Sequence, residues 1–155
     1  MTTQLTLVGD INLMGVADLS RPFAQLSARM NAADVLFANL ECCFFNNQSE
    51  QSVHAEGFYA NPEMCSALVD AGVHVVGNAN NVNYGAAAIR ASLACLQAQG
   101  IAYTGAGSNA EEACRPVIIE RKGVRFGFMQ RTSVYWTHGH EAEADREQHD
   151  HPGDG

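Results

Sequence analysis

Three short polar segments follow apolar runs along the chain, and each carries side chains that could bind a metal ion or polarise a substrate. They are Gly9-Asp10-Ile11-Asn12, Asn39-Leu40-Glu41 and Asn78-Ala79-Asn80-Asn81. In a parallel α/β sheet the carboxyl ends of the strands share one edge, and binding sites form there. Two carboxylates and several amide oxygens at such an edge would supply hard oxygen ligands, which suit Mg²⁺, Mn²⁺ or Ca²⁺.

Each segment taken alone also has a purely structural explanation. Asp10 could bond its own loop, Glu41 could be a solvated carboxylate, and the asparagines could be turn residues that tolerate a left-handed backbone. The recurrence of polar groups after three strands favours a shared site instead. We therefore predict that a divalent metal, such as Mn²⁺ or Mg²⁺, is bound by oxygen atoms of these three segments, with Asp10 and Glu41 supplying the carboxylates.

The elements that must position these residues follow from periodicity. Short β-type runs alternate with segments of helical period, which predicts an α/β domain with a largely parallel sheet. The expected strands cover residues 4–8, 34–38, 73–76 and 101–103, with a hairpin at 117–120 and 124–129. The expected helices cover about 19–30, 64–71, 85–99 and 109–114.

Composition narrows the function further. A chain of 155 residues suggests one domain. With 17 acidic and nine basic residues the net charge is −8, which disfavours nucleic acid as a partner. No apolar run approaches the roughly 18 to 20 residues of a membrane span, and no signal peptide is visible. Five cysteines without a CxxC pair favour reduced thiols and a cytoplasmic location.

The composition changes after Trp136. Residues 137–155 hold four of the six histidines and no Ile, Leu, Val, Phe or Met, so they cannot bury much apolar surface. We expect a domain at 1–136 and a disordered, acidic, histidine-containing tail at 137–155. The segment His138-Gly139-His140-Glu141 could bind a metal, and adventitious binding is the favoured interpretation.

Three other features have structural interpretations. The segment Gly105 to Ala110 imitates a dinucleotide fingerprint, but a helix cap at Ser108 or Asn109 explains it. The pair Cys42-Cys43 is expected to pack in the core. His74 is expected to be a hydrogen-bonded histidine of the core or sheet edge, and His54 lies in a polar loop.

Four stretches carry a resemblance to a known family. They are GDINLMG (9–15), ADVLFANLEC (33–42), FYANPEMCSALVDAGVHVVGNANNVNYG (58–85) and LQAQGIAYTGAGSNAEEACRPVIIERKGVRFGFM (96–129). Together they resemble CapA, the bacterial capsule-synthesis proteins of poly-γ-glutamate capsules. The resemblance implies a metallophosphatase-like layered α/β sheet of the calcineurin type. By motif position Asp10 matches the family's first-strand Asp, Asn39 and Glu41 match its NLE, and Asn80 with Asn81 match its paired Asn. The resemblance therefore implies that these five residues bind the metal ion and that Asp10, Glu41 and Asn80 are catalytic.

The chain also departs from the family pattern. Where the family writes ANNHxxDYG, residues 79–85 read ANNVNYG and lack the histidine. The family's later HWG and GHxPH motifs are also missing. We expect an incomplete domain, the N-terminal half of an α-β-β-α sandwich, with an uncovered sheet face through which the chain could self-associate.

Two functions remain open at this stage. One is a metal-dependent hydrolase acting on an ester, amide or phosphoester in a small molecule or polyanionic polymer. The other is a non-catalytic capsule-assembly or binding module, a truncated remnant of the family that keeps the crevice without the chemistry. The missing histidines favour the second, and the retained carboxylates favour the first.

Overall fold

A computed structural model of the chain describes residues 2–46 and 57–134, and within them it confirms the α/β fold. The strands are β1 (Leu5–Ile11), β2 (Val35–Leu40), β3 (Cys43–Phe44), β4 (Tyr59–Ala60), β5 (Val75–Gly77), β6 (Ala102–Thr104), β7 (Val117–Arg121) and β8 (Val124–Phe128). The main sheet has the order β1-β2-β5-β6, and its strands are all parallel. The strands β3 and β4 form a separate parallel pair, and β7 and β8 form an antiparallel hairpin. The pair β3–β4 was not expected from the sequence.

The helices are shorter than the periodicity predicts. They are α1 (Ser27–Met30), a 3₁₀ turn (Pro62–Met64), α2 (Cys65–Asp70), α3 (Ala86–Ala98) and α4 (Ala110–Cys114). The helix expected from about Leu19 was wrong over most of its length, because residues 19–26 form turns. The Asp18 carboxylate accepts hydrogen bonds from the backbone N–H and the hydroxyl of Ser20 at 3.0 and 2.7 Å, and such local bonds compete with a helix.

The main sheet is covered on both faces. On one face Leu36, Ala38 and Leu40 of β2 are fully buried in the larger core, which includes Leu68 of α2 and Leu96 of α3. On the other face a smaller cluster is formed by Val35 and Phe37 of β2, Val75 of β5, and Phe126 and Phe128 of β8. The hairpin therefore forms a second β layer over the centre of the main sheet.

The edge strand β1 contains a register shift that repositions Asp10. Leu7 pairs with Phe37, but the next pair is Asp10 with Asn39, so β1 has one more residue than β2 in this interval. Without the extra residue Asp10 would pair with Leu40, whose side chain faces the larger core. Such a bulge can redirect a side chain to the opposite face of a sheet. Here it places Asp10 on the same face as Asn39, at the carboxyl end of the sheet.

Part of β1 is not covered by the hairpin. Leu5 and Leu7 lie on the same face as Phe37, and Leu7 is 64% exposed. Within residues 2–46 and 57–134, no helix is long and apolar enough to cross a membrane. The predicted domain boundary at 136, the histidine-containing tail and His54 lie outside the described residues.

Candidate functional site

Asp10, Asn39 and Glu41 lie together at the carboxyl ends of β1 and β2. The Asn39 side chain donates from Nδ2 to Oδ1 of Asp10 at 2.7 Å and to Oε1 of Glu41 at 3.5 Å. Since one amide nitrogen contacts both carboxylates, the two acidic groups are close neighbours. The structure thus brings together three of the five residues that the sequence predicts for the site.

Asn80 joins the loop after β5 to the same place. Its Nδ2 donates to the carbonyl oxygen of Leu40 at 2.6 Å and to Oδ1 of Asn39 at 3.5 Å. Its Oδ1 accepts from the backbone N–H groups of Val82 and Asn83 at 3.2 and 3.1 Å. Asn80 therefore closes its own turn and ties that turn to the end of β2.

Asn83 is a second residue of the loop after β5 that forms a hydrogen bond to the end of β2. Its Nδ2 donates to the carbonyl oxygens of Leu40 and Asn78 at 2.9 and 3.1 Å. Its Oδ1 is buried and has no hydrogen-bond partner, and the same is true of Nδ2 of Asn78. Val82 takes the place of the histidine of the family's ANNH pattern, and Asn83, which precedes Tyr84-Gly85, has a definite position beside the site.

Gln130 completes the network and was not anticipated from the sequence. It follows β8 by two residues, and its Nε2 donates to Oδ1 of Asn39 at 2.8 Å. Its Oε1 accepts from the backbone N–H of Ala79 at 3.0 Å. A Cβ atom at Gly77 would overlap the Gln130 side chain, so a glycine at the end of β5 leaves room for it. The only sequence signal was the position of Gln130 after a strand, which many polar residues share.

The electrostatics of the pair single out Glu41. Burial raises the pKa of the Glu41 carboxyl above its usual value, and the negative charge of Asp10 raises it further. The hydrogen bond from Asn39 acts in the opposite direction and lowers the Glu41 pKa. The ionised form of Glu41 is therefore destabilised in the metal-free site, and a cation or a hydrogen-bond donor beside it would stabilise that form.

A cleft of about 460 Å³ adjoins the network. Its wall includes the side chains of Asn80, Asn83 and Gln130 on one side and the loop at 105–110 on the other. Arg131 supplies a positive charge to the rim, where it donates to the Sγ of Cys114 at 2.9 Å. Asp10, Asn39 and Glu41 are not among the residues that line the cleft, and the lining amides of Asn80 and Gln130 reach the carboxylate pair only through Asn39.

The donor set fits a hard divalent cation at the two carboxylates. Among the described residues, no group of three or more His, Cys, Asp and Glu side chains could hold a metal ion. An ion would therefore be held by Asp10 and Glu41, with amide, backbone or water oxygens in its remaining positions. This matches Mg²⁺, which is commonly bound through one or two carboxylates and keeps several waters. The oxygens of Asn39 and Asn80 both accept hydrogen bonds within the protein, so each would have to exchange a partner to join the ion.

Asn81 is less closely integrated than the sequence predicts. It lies in the turn after Asn80, and among the described residues no hydrogen bond links its side chain to the network. Its part in holding a metal stays a prediction.

The residues with structural interpretations are placed as expected. Cys42 and Cys43 are buried in the core, and burial raises the thiol pKa to about 11 and about 12, which makes them poor nucleophiles. Oδ1 of Asn109 caps α4 by accepting from the N–H of Glu112 at 2.9 Å. Nδ1 of His74 accepts from the N–H of Leu36 at 3.2 Å, so this histidine is satisfied within the sheet.

The layered α/β fold is consistent with that of a metallophosphatase-like family. The family model described as bacterial capsule synthesis protein PGA_cap matches residues 4–154. The chain belongs to this family, which confirms the resemblance found in the sequence. The match continues past Trp136 into the segment that we expected to be a tail. No curated protein matches the chain.

Proposed function

We propose that this member of the capsule-synthesis family is a metal-dependent hydrolase that acts on an ester, amide or phosphoester and serves poly-γ-glutamate capsule formation. The observation that carries the proposal is the convergence of Asp10 and Glu41 on a single amide nitrogen. Two like charges this close are unfavourable unless a cation or strong donors lie between them. A site that keeps both carboxylates is suited to binding a cation.

Asp10 and Glu41 hold the ion in this proposal. When bound, a divalent ion of this kind polarises a substrate oxygen and lowers the pKa of a coordinated water. Asn39 keeps the two carboxylates in place through its Nδ2. Asn80, which lines the cleft, fixes the loop after β5 against the end of β2.

The substrate lies in the cleft beside the network. The hydroxyl groups of Ser108 and Thr132, which also line the cleft, can donate to and accept from a small molecule or a segment of a polyanionic polymer. Arg131 at the rim favours a negatively charged group there. All five cysteines are unpaired, which supports a cytoplasmic place for this reaction.

A second candidate is a non-catalytic capsule-assembly or binding module. It is favoured by the donor set, because the described part of the site contains two carboxylates and no histidine. Such a protein would keep the cleft as a recognition surface without turning over a substrate.

Metal content separates the two candidates. The full chain would be stripped with a chelator, reloaded with Mn²⁺ or Mg²⁺, desalted and examined by elemental mass spectrometry beside Asp10→Asn. The hydrolase proposal expects about one ion per chain in the wild type and a large loss in the variant. A wild type that retains no more metal than Asp10→Asn would favour the binding module.

A further inference from the structure

The orientation of the Asn39 amide is determined by a directional chain of hydrogen bonds. It starts at the backbone N–H of Ala79, which donates to Oε1 of Gln130. Nε2 of Gln130 then donates to Oδ1 of Asn39, and Nδ2 of Asn39 donates to the two carboxylates. Each link runs in the same direction, from donor to acceptor.

The first link fixes the Gln130 amide, which then acts together with the carboxylates and Asn80 to orient Asn39. A backbone N–H can only donate, so Ala79 requires the oxygen of Gln130, and the nitrogen of Gln130 must then face Asn39. If Asn39 turned its amide over, its Nδ2 would face the Nε2 of Gln130, and two donors would oppose each other. Reversal therefore costs at least one hydrogen bond in a partly buried place.

This direction matters for a cation. In this orientation Asn39 points its N–H groups at Asp10 and Glu41, and an amide N–H group cannot bind a metal ion. The Asn39 oxygen, which could bind the ion, already accepts from Gln130 at 2.8 Å and, at the longer distance of 3.5 Å, from Asn80. The Asn39 oxygen, which we predict from the sequence to be a metal ligand, therefore points away from the carboxylate pair.

We propose that Gln130 is a positioning residue that fixes the Asn39 amide as a donor to the carboxylate pair and thereby lowers the affinity of the site for a divalent cation. The positioning role of Gln130 rests on the hydrogen-bond chain alone. The effect on cation affinity rests on the proposed metal function. Gln130 reaches the site because Phe128 packs against Phe37 and because Gly77 has no side chain.

The sharpest test replaces Gln130 with a residue that reverses the chain. In Gln130→Glu the new carboxylate can accept both from Ala79 and from Nδ2 of Asn39, so that once an ion is bound the Asn39 oxygen can turn towards Asp10 and Glu41. Titration calorimetry of the full chain with Mn²⁺ should show binding about tenfold tighter than in the wild type, the size of effect that a change in a partner of a metal ligand produces. Thr132→Glu is the matched control, since it adds the same charge to the same cleft without contacting Asn39.

Gln130→Met separates reversal from added charge, because it breaks the chain without a new carboxylate and should still bind Mn²⁺ more tightly than the wild type. Thr132→Glu should gain clearly less affinity than Gln130→Glu. Equal gains in the two variants would overturn the inference, because charge alone would then explain both. An absence of Mn²⁺ binding in the wild type and in every variant would contradict the proposed metal function.

A second measurement needs no metal. In Gln130→Met the chain is broken, and the side-chain amide protons of Asn39 should exchange with water about tenfold faster in NMR spectra of the metal-free protein. Thr132→Val should leave that exchange unchanged. Equal protection of the Asn39 amide in the wild type and in Gln130→Met would overturn the role of Gln130 whatever the metal results.

Discussion

The rings of Phe37 and Phe128 stack with their centroids 5.3 Å apart and their planes 1° from parallel. Phe37 lies at the centre of the main sheet, and Phe128 is the last residue of the hairpin. Because Gln130 follows only two residues later, this contact links the packing of the hairpin to the geometry of the site.

Phe128→Ala should therefore affect both stability and the site. Phe128 is buried, and its truncation should lower the free energy of unfolding by about 3–5 kcal/mol. Chemical denaturation would measure the loss. Met129→Ala is the control, because Met129 is 62% exposed and should change stability little. Similar values for the two variants would show that the hairpin does not depend on the Phe37 contact.

A second prediction concerns the loop after β5. Asn80→Asp keeps an acceptor for Val82 and Asn83 but places an oxygen against the carbonyl of Leu40. Losing that donor should cost about 1–3 kcal/mol of unfolding free energy. Asn81→Asp adds the same charge at the neighbouring position. Because no hydrogen bond links the Asn81 side chain to the network within the described residues, this variant should lose less unfolding free energy. A larger loss in Asn81→Asp than in Asn80→Asp would contradict the assigned geometry.

The pH dependence of stability should include a contribution from His74. Burial lowers the His74 pKa, the nearby charge of Arg121 lowers it further, and its Nδ1 must stay unprotonated to accept from Leu36. This contribution is therefore complete above the unfolded value of about 6.5 and is lost as the pH falls through the lower folded value. His74→Asn keeps an acceptor at the same position but does not titrate. Thermal unfolding between pH 8 and about 4.5 should show a shallower decline in the variant than in the wild type. Parallel curves would rule out His74 as the source.

The uncovered part of β1 gives a fourth prediction. Leu5 and Leu7 form an exposed apolar surface beside the hairpin, and such surfaces favour dye binding or self-association. Leu7→Ser should reduce the fluorescence of a hydrophobic dye and any concentration-dependent dimer seen by sedimentation. Leu26→Ser is the matched control, since Leu26 is similarly exposed but lies in the segment before α1. If the two substitutions reduce dye binding equally, the β1 surface has no special role.

The sequence predicted the fold class because strand and helix periods alternate clearly, and α3 was found almost to the residue at Ala86–Ala98. It also predicted that Asp10, Asn39 and Glu41 converge, since parallel strands end at one edge. It could not predict the bulge before Asp10, because an extra residue in one strand depends on the register of its neighbour. Gln130 was missed for the same kind of reason, since a hairpin that folds over the sheet brings in residues about 90 positions away.

Repulsion between the two carboxylates should be measurable without metal. Burial and the charge of Asp10 raise the Glu41 pKa, so ionised Glu41 destabilises the metal-free fold once the pH exceeds its usual titration range. Glu41→Gln should therefore unfold at a slightly higher temperature than the wild type at pH 7 in the presence of chelator. Glu120→Gln removes an exposed acidic residue of the hairpin and controls for net charge.

The most direct test of the account is a double-mutant cycle for Mn²⁺ binding. Calorimetric titration of the wild type, Asp10→Asn, Glu41→Gln and the double variant should show a large loss in each single variant. The double variant should lose little more than either, because both carboxylates act through the same ion. Losses that add independently, or wild-type affinity in Asp10→Asn, would contradict the claim that Asp10 and Glu41 share one metal site.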